Sequence, residues 1–269
     1  MIKTTLGISN EPFCAAKPIL LKQQQDIANM LGIHANAGGG LSVVIGNPGV
    51  GKSVLREHIE RLDEERDITV VSCSRTMHTY INLLKQLADS FKLETTTANI
   101  EKRLIEIAFK NAADRKTLYI VIDEAHLLDT NTLRKLRLLF ERFPKRYNLV
   151  LFGQLSLLHS LSLKINEDIK SRVTYSATIQ PLTDEALTDY IYRELDNVKL
   201  GHNTYDEAAI ELIIRSAEGN LRLCRNLCHA SLIEACRESN KTVTTAHVNA
   251  ILIQPHWRSH EELIKNQAK

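Results

Sequence analysis

The sequence lacks several features that would assign it to a class of protein before any motif is considered. Its N-terminus has no apolar segment of the kind that forms the core of a signal peptide. No apolar run approaches the ~18 residues that a membrane span needs. The five cysteines are odd in number and none form a C-x-x-C pair, which argues against a disulfide framework and a zinc ribbon. We therefore expect a cytoplasmic protein that does not bind a membrane.

Net charge is also scarce. The formal charge is +2 over 269 residues, so the overall balance gives no argument for nucleic-acid binding, and any basic surface must be local. What the sequence does contain is ordinary for a soluble globular protein, with 43% apolar and 25% charged residues. The length allows one large domain or two modest ones.

The clearest motif is a glycine-rich loop that fits G-x-x-x-x-G-K-[ST] at every fixed position. An apolar run with strand character precedes it, and a helical pattern follows. Glycines let several backbone N–H groups turn toward one phosphate, and the N-terminus of the following helix favours an anion. We therefore predict that the loop binds a nucleoside triphosphate, taken as ATP. The predicted nucleotide-binding residues are Gly46, Asn47, Pro48, Gly49, Val50, Gly51, Lys52, Ser53 and Val54.

Two residues of this loop have distinct expected roles. Lys52 would reach the β- and γ-phosphates, and the Ser53 hydroxyl would ligate Mg²⁺. The order of strand, glycine-rich turn and helix is the context in which this motif binds phosphate. A chance glycine-rich turn is the alternative, and the match at every position argues against it.

Apolar runs and helical patterns alternate along most of the chain. Strand-like runs are at residues 41–45, 68–73, 118–122, 149–152 and 173–179. Helical patterns are at residues 19–34, 52–65, 77–91, 99–113 and 130–143. Strands separated by helices predict an α/β fold in which a five-stranded parallel sheet has helices on both faces.

After Pro181 the periodicity is helical only, which predicts a small helical lid. We expect an N-terminal segment with a leading helix at 1–40, a nucleotide-binding α/β domain at 41–181, the lid at 182–255 and a loosely held tail at 256–269. Residues 1–17 are expected to be irregular. Thr204 and Glu207 predict a capping box before a lid helix.

An acidic pair follows the third strand-like run. Asp123 would hold Mg²⁺, and Glu124 would orient and polarise the attacking water. The alternative is that Asp123 caps a helix. The string Asp-Glu-Ala-His ending at His126 invites a helicase interpretation, but the chain has no room for a second RecA-like domain. We expect His126 to make a local polar contact.

Six stretches together resemble the AAA+ ATPases, and they extend from residue 12 to about residue 240. Within that superfamily the chain is similar to the bacterial branch that joins ExeA-type secretion ATPases and transposition helper ATPases of the TniB, TnsC and phage Mu target-selection types. The stretches are residues 12–13, 46–53, 122–128, 151–154, 170–173 and 219–222.

The resemblance implies roles for three further residues. Gln154 matches sensor 1, a polar side chain near the γ-phosphate, although it could instead be a polar residue that merely ends a strand. Arg172 matches the arginine finger that acts on nucleotide bound to a neighbouring subunit, with an exposed surface arginine as the alternative. Arg222 matches sensor 2, and Arg225 competes for that role. An arginine finger implies self-assembly into a ring or a helical filament.

Basic residues are concentrated between positions 134 and 146, where six of thirteen are Lys or Arg. The apolar stripe of that helix would leave these charges facing outward. Contact with DNA phosphates, a solvated face and an intersubunit surface all remain open. By resemblance, the elements after the second strand would face DNA as well. The candidate DNA-contacting residues are Arg75, His78, Lys102, Arg103, Arg134, Lys135 and Arg142.

Three functions fit these features. The first is a DNA transposition helper, which oligomerises with ATP on duplex DNA with little sequence specificity and recruits or activates a transposase. The second is a secretion-type ATPase; such proteins continue into a membrane span and a peptidoglycan-binding region, which this sequence lacks up to Lys269. The third is an ATP-dependent switch that acts on a protein partner without DNA. A DnaA- or Orc-like initiator would normally carry an added DNA-binding domain.

Overall fold

Five parallel strands form the centre of the larger part of the molecule. The computed structural model describes residues 2–14, 19–73, 79–94 and 97–254. The sheet has the order β2-β3-β4-β1-β5, which confirms the predicted five-stranded parallel α/β fold. The strands are β1 (Gly39–Gly46), β2 (Ile68–Cys73), β3 (Thr117–Ile122), β4 (Tyr147–Gly153) and β5 (Val173–Ile179).

Twelve α-helices lie in the described ranges. Those that precede β5 in the sequence are α1 (Ile2–Leu6), α2 (Lys22–Asn36), α3 (Lys52–Arg61), α4 (Tyr80–Ser90), α5 (Ile100–Ala113), α6 (Thr130–Phe140), α7 (Leu155–Ser162) and α8 (Glu167–Lys170). Those after it are α9 (Asp184–Asn197), α10 (Glu207–Ala217), α11 (Leu221–Arg237) and α12 (Thr245–Leu252). None of these helices combines the length and apolar character needed to cross a bilayer.

The chain divides into two units, each with its own core. The α/β unit is Lys22–Gln180, and the helical unit combines Met1–Leu21 with Pro181–Lys269. The predicted N-terminal segment 1–40 is thus split, because α1 packs with α11 whereas α2 packs on the sheet.

The central strands β1, β3 and β4 are largely apolar on both faces, as expected for a parallel sheet covered on both sides, whereas the edge strand β5 alternates exposed and partly buried residues. On one face the strand residues pack with α4, α5, α6 and α7, and on the other they pack with α2 and α3. In β1, Val43 and Ile45 belong to the first face and Val44 to the second. Buried Ser42 is satisfied because its hydroxyl donates to Asn148 Oδ1 at 2.9 Å.

The register of β1 positions the glycine-rich loop. Ile45 pairs with Gly153 of β4, and Gly46 pairs with Ile179 of β5. The carboxyl ends of β3 and β4 therefore lie at the same edge of the sheet as the end of β1. We call this the carboxyl edge, and the opposite one the amino edge.

In the helical unit, the buried aromatic residue Phe13 anchors residues 2–14 to the helices that follow the sheet. The Phe13 ring contacts the rings of Tyr190 and Tyr205, and the Phe13 N–H donates to Glu194 Oε2 at 2.7 Å. Burial raises the pKa of the Glu194 carboxyl, and the Phe13 hydrogen bond opposes this shift.

Gly219 is required in the turn between α10 and α11. Its φ is +75°, and a Cβ there would lie 2.7 Å from Pro181 Cβ, so a larger residue would be both strained and crowded. Asn220 then caps α11 by accepting from the N–H groups of Arg222 and Leu223.

Several expectations about local structure are wrong. Residues 2–6 form α1 instead of an irregular segment, and α7 and α8 were not anticipated. The capping box at Thr204 is absent: α10 is preceded by Asp206, and the Thr204 hydroxyl donates to the Gly201 carbonyl at 2.6 Å. A capping box occurs instead at Thr244, which pairs with His247 before α12.

Candidate functional site

The glycine-rich loop joins β1 to α3, and its glycines are needed for different reasons. Gly49 and Gly51 have φ values of 85° and 104°, in the left-handed region that favours glycine. At Gly46 a Cβ would lie 2.8 Å from Val50 Cγ2 and 3.0 Å from the Ile179 carbonyl oxygen. The tight turn and the close approach of β5 therefore fix the shape of this loop.

Lys52 brings a positive charge to the loop. Its side chain is buried, and Nζ donates to the carbonyl oxygens of Gly46 at 2.8 Å and Asn47 at 3.0 Å. The same residue begins the ten-residue helix α3, whose free N–H groups and dipole favour an anion. The buried Gln24 side chain of α2 supports this turn by donating to the Gly51 carbonyl at 3.4 Å. Lysine and helix terminus together suit a polyphosphate.

The acidic pair follows β3 directly. Asp123 is 8% exposed, and its Oδ1 accepts from the Glu124 N–H at 2.8 Å. The N–H of Asp123 donates to the carbonyl of Cys73, whose thiol pKa is raised by burial to about 12. Asp123 does not cap a helix, because the short 3-10 turn after it begins beyond Glu124 and the cap of α6 is Asp129.

Glu124 has a strained backbone. Its φ of 51° lies in the left-handed region, which is uncommon for residues other than glycine. Such strain persists only where the surroundings impose it, and it is concentrated at functional sites. The Glu124 side chain is 44% exposed, whereas the neighbouring Asp123 side chain is 11% exposed. The two acids thus face different environments.

Gln154 lies at the same edge. It follows β4, which is between β3 and β1 in the sheet, so Gln154 is placed between the acidic pair and the glycine-rich loop. The chain packs tightly here: a Cβ at the preceding Gly153 would lie 2.8 Å from Leu157 Cδ2 and 3.4 Å from the backbone nitrogen of His126. The structure therefore brings Lys52 and Ser53 to one edge with the acidic pair and Gln154.

Sequence reasoning missed Arg56. Its Nε lies 3.4 Å from Asp123 Oδ2, and its Nη1 lies 3.2 Å from Glu60 Oε1. Arg56 is three residues after Ser53, so one helical turn places it on the same face of α3. That spacing is the signal that could have identified it as a neighbour of the acidic pair.

His126 makes the local polar contact expected of it. Its Nε2 lies 3.5 Å from Glu124 Oε2, and its side chain is 10% exposed. His126 therefore borders the more exposed acid, while Arg56 borders the buried one.

Arg172 lies at the amino edge, immediately before β5. That strand has seven residues, which separates its two ends by roughly 20 Å. Arg172 is therefore too far away to reach the glycine-rich loop of its own chain. Its side chain is 61% exposed, and its Nε lies 3.0 Å from Glu141 Oε1.

Arg222 and Arg225 lie in the helical unit. Both are exposed on the first turns of α11, and the Arg222 N–H is bound by the Asn220 side chain. Arg225 is close enough to Cys14 and Glu194 for its charge to act on both. The sensor-2 role of Arg222 stays a prediction.

The basic helix α6 differs from the expectation that its charges face outward. Its apolar stripe is buried as predicted, but Arg134 and Arg137 turn toward the segment around α8. Arg134 donates to the Ile165 carbonyl and lies 3.5 Å from Asp168, which also pairs with Arg137 at 3.8 Å. These two arginines are held within the chain.

Of the remaining DNA candidates, the three whose ion pairs are described are more exposed than Arg134 and Arg137. Lys102 and Arg103 of α5 are 78% and 58% exposed and share Glu106 as an ion-pair partner. Lys135 Nζ lies 5.5 Å from the centre of the Tyr80 ring, and Arg142 Nη1 lies 3.9 Å from Glu101 Oε2. Arg75 and His78 are outside the described residues.

The donors at the carboxyl edge fit a magnesium ion. Ser53 offers a hydroxyl and Asp123 a carboxylate, and hard oxygen ligands of this kind are those that Mg²⁺ takes beside substrate phosphates. When bound, the ion would neutralise charge on the β- and γ-phosphates. Arg56 adds a competing positive charge beside Asp123.

Comparison with known proteins shows what this part of the chain is similar to. Residues 35–161 match the family model described as AAA domain. No curated protein matches the sequence. Among solved structures, the Aeropyrum pernix ORC2 protein with its ADPNP-ADP complexes is similar at 13% identity and a TM-score of 0.73, covering 95% of this chain and 74% of that one.

Two further structures have the same fold. The Aeropyrum pernix ORC1 protein in complex with DNA is 17% identical, with a TM-score of 0.67 over 88% of this chain and 67% of that one. The Thermotoga maritima RuvB Holliday junction branch migration motor is 16% identical, with a TM-score of 0.59 over 93% and 77%. The narrower ExeA-like or TniB–TnsC-like branch stays a prediction. The match to the AAA-domain model covers just under half of the chain, and the fold is an AAA+ fold like that of the ORC and RuvB structures.

Proposed function

We propose that this chain hydrolyses ATP to ADP and phosphate in a Mg²⁺-dependent reaction. The observation that carries the proposal is the meeting of Lys52, Ser53, the acidic pair and Gln154 at one edge of the sheet. The loop and the N-terminus of α3 bind the phosphates, and Lys52 exchanges its contacts with two loop carbonyls for contacts with the β- and γ-phosphates.

The two acids divide the work in this proposal. Asp123, buried and hydrogen-bonded, holds the ion together with Ser53, whereas the more exposed Glu124 orients the attacking water. His126, 3.5 Å from Glu124, limits the directions in which that carboxylate can point. Gln154 contacts the γ-phosphate or the water from the neighbouring strand end.

We further propose that the working unit is an oligomer, either a ring or a helical filament. The support is the position of Arg172 at the amino edge, too far from its own loop to act there. In a neighbouring subunit's site its guanidinium would stabilise charge that develops on the transferred phosphoryl group. Arg222 would act from the helical unit as sensor 2.

The assembly is proposed to act on duplex DNA as a transposition helper. The six stretches resembling that branch support this, as does the similarity in fold to the ORC1 protein in complex with DNA and to the RuvB branch migration motor. The engagement of Arg134 and Arg137 within the chain reduces the basic surface available, which keeps a protein-partner switch as the main alternative. A secretion-type ATPase is the other.

One experiment separates these functions. Binding to random-sequence duplex DNA is measured with ATP, with ADP and without nucleotide, at two salt concentrations. A transposition helper would bind with ATP in large assemblies and lose affinity at the higher salt, because phosphate contacts release counterions. Intact ATPase activity with no DNA binding in any nucleotide state would favour the protein-partner switch.

The nucleotide site itself is tested by Lys52→Ala. Loss of the buried ammonium should weaken ATP binding by about tenfold or more, since a charged hydrogen-bond partner contributes about 1.5–3 kcal/mol. Calorimetry with ATP measures the change, and Lys116→Ala, a substitution just before β3 and at the opposite end of that strand from the acidic pair, is the control. An unchanged affinity would contradict the role of the loop.

A further inference from the structure

Three side chains of different chemistry meet in the helical unit, and the proposed ATPase function gives none of the three a role. Cys14 Sγ lies 3.3 Å from His229 Nε2, and Glu11 Oε2 lies 3.9 Å from the same nitrogen. All three ligand atoms lie within 4.8 Å of one another. Glu11 and Cys14 belong to the N-terminal segment, and His229 belongs to α11, so the group joins two distant parts of the sequence.

The distances fit one zinc ion. With Zn–S near 2.3 Å, Zn–N near 2.05 Å and Zn–O near 2.1 Å, a tetrahedral site separates sulfur from nitrogen by about 3.6 Å and nitrogen from oxygen by about 3.4 Å. The observed 3.3 Å and 3.9 Å differ from these values by a few tenths of an ångström. The thiol sulfur and the carboxylate oxygen lie within 4.8 Å of each other, so a rotation of the Glu11 side chain toward the other two ligands would bring all three atoms to one ion.

The charges and the ligand types also fit zinc. A thiolate and a carboxylate carry two negative charges, which balance a divalent cation, and the neutral imidazole adds a nitrogen ligand. Sulfur favours a softer metal and excludes Mg²⁺, which takes oxygen ligands. Arg225 lies near Cys14 and opposes a cation, while Glu194 nearby offsets that charge.

The backbone that carries the ligands is held in place independently of any metal. The Phe13 N–H is bound by the buried Glu194 carboxylate, and the Phe13 ring packs between two tyrosines. This fixes the residue next to Cys14. The third ligand is fixed in a similar way, because His229 follows Cys228, a buried residue of α11. The three ligand atoms thus meet because of packing around them.

We propose that Glu11, Cys14 and His229 form a site for a single Zn²⁺ ion, with a water as the fourth ligand. The site ties the N-terminal segment to α11. It is independent of nucleotide, because none of its ligands belongs to the glycine-rich loop or the acidic pair.

Cobalt(II) substitution tests the proposal on the full chain without nucleotide. A thiolate ligand gives cobalt a charge-transfer absorption in the near ultraviolet, which a site of oxygen and nitrogen ligands lacks. We expect this absorption to saturate at one equivalent of cobalt and to disappear when zinc is added. Failure of the absorption to develop with excess cobalt would overturn the site.

Matched variants locate the ligands. Cys14→Ser should abolish the thiolate absorption, and His229→Asn and Glu11→Gln should each weaken zinc binding about tenfold or more in a competition assay, as expected for the loss of a metal ligand or its partner. The control is His202→Asn, since His202 pairs with Asp196 at 3.0 Å in the same unit without a cysteine. Retention of the absorption in Cys14→Ser would contradict the proposal.

Two further measurements test whether a loss of zinc binding is due to misfolding and whether it depends on the nucleotide site. Thermal unfolding without metal should be similar for Cys14→Ser and the unchanged chain, whereas zinc should raise the melting temperature of the unchanged chain alone. Equal shifts in both would count against the site. Lys52→Ala should bind zinc normally, so a failure of the proposed ATPase function leaves this test intact.

Discussion

The two edges of the sheet carry charged side chains in opposite ways. At the carboxyl edge, Glu124 is half-exposed on a strained backbone, and Lys52 is turned onto the carbonyls of its own loop. At the amino edge, Arg172 and Arg137 are both paired with Glu141, and Arg137 also pairs with Asp168. The first edge is arranged for a ligand, and the second is arranged for charge balance within the chain.

This difference teaches where function can be expected. Groups that satisfy one another are stabilising and need no partner, whereas a buried acid beside an exposed one is typical of sites that bind and react. Arg172 is the exception at the amino edge. It is the most exposed member of its group, and a second subunit could draw it away from Glu141.

The largest expected effect is that of Arg172→Ala. If this arginine completes a neighbouring subunit's site, ATP turnover should fall about 10³-fold, as arginine fingers contribute at least that much. Single-turnover and steady-state ATPase assays measure the loss. Lys170→Ala, an exposed change two residues away, is the control and should retain activity.

A mixing experiment tests the trans arrangement directly. Arg172→Ala contributes an intact acidic pair, and Glu124→Gln contributes an intact arginine, so mixed oligomers contain some complete sites. Partial activity should return on mixing. If no ratio of the two variants restores turnover, Arg172 does not complete a neighbouring subunit's site, and its exposure at the amino edge would have no catalytic role.

The second effect is that of Glu124→Gln. Loss of the carboxylate proposed to orient the attacking water should reduce turnover about 10²-fold or more, which is typical of removing a general base. ATP binding should persist, because in the proposed site the loop and Lys52 hold the phosphates. Calorimetry and ATPase assays measure the two separately, with Glu64→Gln as an exposed control. Turnover near the unchanged rate would exclude Glu124 from this role.

The carboxyl edge was predictable because its chemistry is local in sequence. The loop is a continuous stretch, and Asp123 and Glu124 follow an apolar strand, so pattern alone located them. Gln154 was named from the resemblance to AAA+ ATPases, and the parallel order of the strands explains why it lies at the same edge. Arg56 was missed because its partner Asp123 is distant in sequence, although helical spacing puts it beside Ser53.

The amino edge was not predictable for a related reason. The composition of α6 suggested an outward basic face, but Arg134 and Arg137 find partners in a segment about thirty residues later. The short helices α1 and α8 depend on packing against neighbours and carry weak signals of their own. Local patterns therefore predicted the sheet and the loop better than the charges around them.

A smaller effect is expected from Arg56→Gln. Its guanidinium lies 3.4 Å from Asp123 and competes with a metal cation for that carboxylate. Removing the charge should lower the Mg²⁺ concentration at half-maximal ATP binding by roughly fivefold, equivalent to about 1 kcal/mol. Magnesium titrations of ATP affinity measure this, with Arg61→Gln at the end of α3 as the control. An increased Mg²⁺ requirement would show that Arg56 instead positions Asp123 for the ion.

The smallest effects distinguish two arginines of the basic stretch. Arg134 is held by three groups, so Arg134→Ala should lower the free energy of unfolding by about 1–2 kcal/mol with little change in DNA affinity. Arg142 is 63% exposed and has one ion-pair partner at 3.9 Å, so Arg142→Ala should change stability by less than about 0.5 kcal/mol. If DNA is bound here, Arg142→Ala should reduce the salt dependence of binding by about one counterion. Denaturant unfolding and salt titrations measure both. If Arg134→Ala instead reduces DNA affinity and Arg142→Ala does not, Arg134 must leave its partners within the chain when DNA binds.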